Sequence, residues 1–382
     1  MAFASALSEH PVTSLATGEV AGAVLEAVGD RPDLVMVTTT RPHAGALEDI
    51  AATLSAVLHP LAVLGCAAES VVGTGREVEE TPAISVWAGR VGPLTPVALD
   101  ATQLADGSWH FDGWPEPTAF TPSALVLMAD PFTFPADDFL AWLGSRHPGL
   151  PVVGGQASGG RGPGGSRLVV GDRVRSAGAV GVLLGPGVSV DTVLSQGARA
   201  YGGPLTVTKS ERNVIYEVAG VPAMECMVDQ IRTHLSAAEV VGIESNGLFV
   251  GRLIDERVDR PGPGDYLVRS VLGADRATGA VAVDDQVPLG STVRFHVRDA
   301  ETAHLELGTL LADRRAEAAL VFPCNGRGTR LFDDPHHDAG LLQRAVGPVP
   351  VGGFFAAGEF GPVGGRNFVH GFTVSMALLR PR

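Results

Sequence analysis

The chain has 382 residues, 45% of them hydrophobic and 18% charged, with a formal net charge of −14. That length and apolar content suffice for a large core spread over two or three domains, and they exclude general disorder. The acidic balance argues against nucleic acid and against an anionic membrane surface as partners.

Residues 18–29 space Val20, Val24, Leu25 and Val28 as a helix. Asp33–Val37 carries the unbroken apolar run Leu34–Val37, the signature of a buried strand. Leu47, Ile50, Leu54 and Leu58 put one apolar face on a helix over 45–58, and Leu61–Leu64 is the next strand. Gly65–Gly75 turns the chain before a strand at Ala83–Gly89. Residues 102–122 read as an irregular excursion. Ala124–Met128, a helix through Asp137–Leu143 and Val152–Val153 follow, and then the Gly-rich stretch 154–167. A hairpin is expected at 167–184 about Gly171-Asp172. A composition shift near 200–206 marks a domain boundary. Beyond it come strands at 205–208 and 214–218, a helix over Pro222–Ser236, and strands at 248–250, 265–272, 279–283 and 291–297. A helix at 299–315 is capped by Asp299. One strand over 367–379 ends the chain.

Lys209 is the only lysine, which confines Schiff-base chemistry to that position and leaves no GxxxxGK phosphate loop. Three cysteines without a CxxC pair form neither a disulfide framework nor a zinc motif. The N-terminus lacks the basic start and apolar core of a signal peptide. The longest apolar stretch, 177–190, is too short for a bilayer and is broken by Gly and Pro. A soluble, cytoplasmic protein is expected.

One sentence is said three times. Residues 33–73, 123–162 and 317–362 each contain an apolar run, a polar loop, an amphipathic stretch, a second apolar run after Pro, and a Gly-rich turn. Each reads as a β-α-β unit whose second strand ends in glycines. Such turns aim backbone N–H groups at a cleft.

The segments PCNGRGTRLFDD, PVPVGGFFAAGEFGP and NFVHGFTVSMALL resemble the C-terminal half of the FIST domain family. Upstream, LGCAAES, AGAVGVLLGPG, SQGAR, VTKSERNVIYEVAGVPA, YLVRSVLGAD and VRFHVRDAE follow in the family's order, so the resemblance covers roughly residues 20–379. It implies a FIST N-terminal domain over 18–203 and a C-terminal domain over 204–380. The fold class expected is mixed α/β, with two αβ domains of related β-α-β units around a central cleft. The resemblance also implies an intracellular sensor of bacterial signal transduction that binds small molecules, amino acids among them. Some members resemble haem-binding nitric oxide sensors. After about residue 380 no output segment remains, so the expected signal passes to a separate partner protein in trans. Self-association into a homo-oligomer stays open.

The candidate ligand cleft comprises Gly65–Ser70, Gly154–Ser158, Cys324–Gly328 and Gly352–Glu359. Cys324, Asn325, Arg327 and Gly328 follow a buried strand, where open α/β sheets place ligands. The Cys324 thiol there is a nucleophile, a metal ligand, a redox sensor or simply a packed side chain. The Arg327 fork suits a carboxylate or phosphate, or else pairs with Asp333 or Asp334. Gly353 and Phe354 lead to Glu359, placed to meet a ligand's ammonium group or Arg327, with Glu69 as its counterpart in the first repeat. Cys66 aligns with Gly155 and Gly353. Gln196, Arg252, Arg269 and His370 stand at family motif positions without an assigned role. His336-His337-Asp338 has the wrong spacing for metal and is expected on the surface at a helix start. No cofactor is expected. Haem, needing His370 or Cys324 as axial ligand, is one alternative, and a thiol-dependent enzyme using Cys324 is the other.

Overall fold

The computed structural model describes residues 2–116, 119–262 and 264–382. The chain forms two compact units. One contains Met1–Leu194 and Leu310–Arg382, and the other Ser195–Thr309. Residues 310–380, assigned by the sequence division to the second domain, therefore belong to the first unit. Mixed α and β structure is found throughout.

The first unit opens with β1 (Phe3–Ser8), helix α1 (Thr13–Val28), β2 (Leu34–Thr40), helix α2 (Leu47–Leu58) and β3 (Ala62–Ala68). The hairpin β4 (Ser70–Gly73) and β5 (Arg76–Glu79) and strand β6 (Ile84–Gly89) follow. The plan repeats with β7 (Leu94–Gln103), β8 (Trp109–Asp112), β9 (Ala124–Ala129), α3 (Ala136–Arg146), β10 (Val152–Gln156), the hairpin β11 (Leu168–Val170) and β12 (Arg173–Arg175), and β13 (Ala179–Leu184). It begins a third time with β14 (Val188–Ser195).

The second unit intervenes here, with β15 (Ala198–Glu211), β16 (Val214–Val218), β17 (Val221–Pro222), α4 (Ala223–His234), α5 (Ala237–Asn246), β18 (Phe249–Leu253), β19 (Tyr266–Asp275), β20 (Ala280–Val283) and β21 (Thr292–Arg298). Its strands run in the order β15-β21-β18-β19-β20-β16-β17, and β15 also pairs with β16, which closes the antiparallel sheet on itself. Helix α6 (Ala300–Leu311) is capped by Asp299, as expected: its carboxylate accepts from the Thr302 N–H at 2.7 Å. The third repeat then resumes with β22 (Ala318–Pro323), α7 (His337–Val346), β23 (Val351–Phe354), the hairpin β24 (Glu359–Val363) and β25 (Arg366–His370), and β26 (Val374–Pro381).

Each repeat contributes one parallel pair: β2 with β3, β9 with β10, β22 with β23. An antiparallel strand flanks the first member of each pair, β6, β13 or β26. The hairpin after each second strand crosses to a neighbouring repeat. β4–β5 extends the sheet of repeat three, β11–β12 that of repeat one, and β24–β25 that of repeat two. The three sheets are thus cyclically interlocked.

The apolar runs are continuous because these strands are buried on both faces. Alternation sends Leu34 and Met36 into a core shared by all three sheets, while Val35 and Val37 pack under α1 and α2. Leu320, Phe322, Val126 and Met128 enter the same shared core. On α2, Leu47, Ile50, Leu54 and Leu58 are all buried, each contributing roughly 1.5–3 kcal/mol.

Several expected elements differ. The turn at Gly65–Gly75 is the end of β3 plus a hairpin, because its Val71, Val72 and Val78 find a sheet elsewhere in the unit. The strand over 367–379 is two strands, broken by Gly371 and by Phe372 at φ 62°. Within 102–122, residues 109–112 pair with β7, and positions 117–118 lie outside the described residues. His337 and Asp338 are buried rather than exposed, since β5 covers the start of α7.

Candidate functional site

The site grows from one backbone feature repeated three times. Gly65, Gly154 and Gly353 stand beside Val37, Leu127 and Val321, each the fourth residue of a first strand. A Cβ on them would lie 2.0, 2.0 and 1.8 Å from the facing carbonyl oxygen, so only glycine lets the parallel strands approach there. This register equates Cys66 with Gly155 and Phe354, correcting the expected match to Gly353 by one residue. It equates Glu69 with Ser158 and Ala357, so Glu359 is not its counterpart.

The three glycine-rich corners converge within the first unit. Ser158 Oγ donates to the Phe355 carbonyl at 2.5 Å and accepts the Glu69 N–H at 2.9 Å, joining one residue from each repeat. The Phe355 N–H donates to Ser70 O, Gly159 to Ala67 O, and Ala357 to Gln156 O, all at 2.9–3.1 Å. Thr38 Oγ1 donates to Gly353 O at 2.8 Å. The corner N–H groups expected to face a ligand are therefore largely spent on one another.

Free polar capacity lies at the rim instead. Arg41, the first residue of a 3-10 helix after β2, donates to Gly159 O and Ser158 O at 3.2 Å, and its Nη1 stands 3.9 Å from Glu69 Oε1. Arg330, from the loop after β22, reaches the same Glu69 oxygen at 2.9 Å, Glu80 at 2.6 Å and Asn325 O at 3.0 Å. Two guanidinium groups of different repeats thus flank one carboxylate. Both are partly exposed.

Beneath the rim lies a buried charged cluster. Arg327 is fully buried, and its Nε and Nη2 donate to the two carboxylate oxygens of Asp338 at 2.6 and 2.7 Å. Its expected role as an anion-binding fork is therefore corrected, and its partner is Asp338 rather than Asp333 or Asp334. Burial alone would raise the Asp338 acid. The Arg327 charge and hydrogen bonds, helped by His337, overcome this and hold it at about 2. Glu77, delivered by β5, accepts from the Ala339 N–H at 2.8 Å. Burial, with the nearby Asp338 charge, pushes its acid up to about 8. Glu359 accepts from Thr373 N at 3.0 Å and Thr373 Oγ1 at 2.8 Å, and its acid is likewise raised by burial to about 8. The Arg327 charge and the Thr373 hydrogen bonds only partly offset that rise.

Cys324 hydrogen-bonds with the Glu359 carboxyl, and burial together with that neighbour pushes its thiol up to about 12. A catalytic thiol needs the opposite shift. Gly328, at φ 60°, lies against the Glu79 carboxylate that accepts from Thr329 N and Oγ1. Cys66 and Phe354 are fully buried in the shared core. His370 is buried opposite Glu359, its Nε2 at 3.0 Å from Gly361 O. No group of three or more His, Cys, Asp or Glu suited to a metal exists among the described residues.

In the second unit, Gln196 donates to Tyr266 O at 2.8 Å and accepts from Val268 N at 3.0 Å, while Arg252 pairs with Asp285 at 2.8 Å. These motif positions serve to hold that sheet. An open groove of about 710 Å³ runs along α4, floored by Met224 and Cys226 and edged by Glu225, Asp229, Arg232 and Arg276, charges that cancel.

Sequence reasoning missed Arg41, Arg330, Glu77 and Thr373, placed Asp338 on the surface, and included Ser158 in the cleft without a role. Ser158 and Glu69 share a repeat position, which was the one available signal. Glu77 reaches the cluster only through the exchanged hairpin.

Residues 33–221 match the model of the FIST N domain and residues 223–362 that of the FIST C domain. Over 363 residues, 92% of both chains, the protein is 38% identical to Uncharacterized protein Rv0628c of Mycobacterium tuberculosis. Over 364 residues, again 92% of both, it is 37% identical to Uncharacterized protein Mb0898c of Mycobacterium bovis. FIST domains are sensory domains thought to bind small ligands in signal transduction. With both domain models matched in order along nearly its whole length, this chain belongs to the FIST family.

Proposed function

We propose that the protein is a non-catalytic cytoplasmic sensor whose ligand is a small anionic metabolite with a cationic end, such as an amino acid. The observation that carries this reading is the pair Arg41 and Arg330, drawn from two repeats and facing Glu69 from either side. The 3.9 Å contact of Arg41 is a loose one, which leaves its Nη1 able to donate to a ligand carboxylate. Glu69 and Glu80 supply the complementary charge for an ammonium group. Arg327 and Glu359, first expected to make these contacts, instead form the buried floor. Among the described residues no helix is long and apolar enough to cross a membrane, which agrees with a cytoplasmic setting. The signal passes to a separate partner protein through the ligand's preference for one state of the corner.

A thermal-shift panel of amino acids and organic acids tests this. A matching ligand raises the melting temperature, and Arg41→Ala and Arg330→Ala each abolish the rise. If no panel member stabilises protein shown to be empty by native mass spectrometry, or if both variants respond like the parent, the reading falls. The thiol-enzyme alternative has against it a Cys324 thiol pushed up to about 12, and the haem alternative the burial of His370.

A further inference from the structure

The strained turn between β25 and β26 does something that neither the fold nor the rim explains. Phe372 sits at φ 62°, a left-handed conformation that costs an aromatic residue on the order of 1–3 kcal/mol. It is 42% exposed, yet His370 on one side and Thr373 and Val374 on the other are buried. Its ring lies against Gly326 so closely that a Cβ there would be 2.7 Å from the ring edge. The turn is fastened at three points to the floor of the corner. Cys324 N donates to Thr373 O at 2.9 Å, and Glu359 accepts both the Thr373 N–H and its hydroxyl. The Phe372 backbone also hydrogen-bonds with the Cys324 sulfur. Both ends of the turn are rigidly anchored, by His370 Nε2 on Gly361 O and by the pairing of Val374 with Pro323.

We infer that residues 371–373 form a latch over Cys324–Gly326, with Phe372 as its cover, which swings open while the three interlocked sheets stay folded. The stored strain at Phe372 favours opening, and the Thr373–Glu359 and Thr373–Cys324 hydrogen bonds oppose it. Opening uncovers the Cys324 thiol and the Glu359 carboxyl, the floor beneath Asn325 and the rim. The inference deepens the proposed ligand corner by giving it a gate. It does not depend on which ligand binds.

The protein carries its own control. Cys66 is fully buried in the shared core and becomes reactive only when the unit unfolds, whereas Cys324, 9% exposed beneath the turn, gains reactivity when the latch opens. Maleimide labelling of the full chain, read by peptide mass spectrometry at each cysteine, separates the two. We expect Cys324 to label at least tenfold faster than Cys66. Thr373→Val, which removes one hydroxyl bond with little change in shape, and Phe372→Ala should each raise the Cys324 rate severalfold further while leaving the Cys66 rate unchanged. Equal rates at Cys324 and Cys66 would show that only global unfolding exposes the thiol and would overturn the latch. So would a Cys324 rate indifferent to both variants. A rim that fails to bind amino acids would leave this result untouched.

Discussion

Arg327 and Asp338 meet fork to fork in the interior of the first unit, at 2.6 and 2.7 Å, with both side chains withdrawn from solvent. The arginine guanidinium lies over the Phe332 ring at 5.2 Å, and the aspartate also bonds with His337. One permanent cation here holds together a loop of repeat three and the start of α7, beside Glu77 and Glu359, whose acids burial raises. The pair therefore organises the floor of the corner rather than meeting ligand. Arg327→Ala should leave Asp338 as a buried, uncompensated charge and cost roughly 3–5 kcal/mol, measurable as a lowered urea midpoint.

Stability should fall as the solution is made alkaline from about pH 4.5 to about 8. In the unfolded chain Glu77 and Glu359 lose their protons near the ordinary value of 4.5, while in the folded chain they hold them until about 8. Across that window the folded state binds more protons, so raising the pH favours unfolding, by on the order of a few kcal/mol. Asp338 works in the opposite sense, and its contribution is lost only as the pH falls from 3.8 towards 2. Glu77→Gln and Glu359→Gln should each flatten part of the slope between pH 5 and 8 in denaturant titrations. A slope that both variants leave unchanged would mean that neither carboxyl is held protonated.

Ser158→Ala removes the hydroxyl that joins the three repeats. It strands the Phe355 carbonyl and the Glu69 N–H inside the protein, at a cost of roughly 1–3 kcal/mol. The same variant should loosen Glu69 and so weaken any ligand response of the rim, readable in the thermal-shift panel.

Gly154→Ala and Gly353→Ala should be among the most damaging single-methyl additions, costing roughly 1–3 kcal/mol or more. Each new Cβ would meet a strand carbonyl at 2.0 or 1.8 Å, and neither strand can yield without shifting its sheet. Gly162→Ala, with no atom within 4 Å of the added carbon, is the matched control and should change the urea midpoint little.

Much of the architecture was legible because its cause is local. Apolar runs such as Leu34–Val37 and Ala318–Phe322 could only be strands buried on both faces, and the period of Leu47, Ile50, Leu54 and Leu58 could only be a helix on a core. The three β-α-β units were visible as repetition, and the hairpin about Gly171-Asp172 as turn chemistry. The candidate site was legible in outline only. The corners of Gly65–Ser70, Gly154–Ser158 and Gly352–Glu359 do meet, but which side chains face outward there was not.

The sequence by itself determined the periodicities, the three-fold repetition, the glycines at which paired strands touch and the membership of a family, since each of these depends on residues near one another in the chain. Tertiary structure alone decided which sheet each hairpin joins, and with it the placing of Glu77 beside Arg327 and Asp338, some 250–260 positions away. It also decided that Arg327 serves the interior while Arg41 and Arg330 face the rim. A side chain's charge state and its freedom to bind are set by burial and by partners brought from distant segments, and no spacing along the chain encodes those.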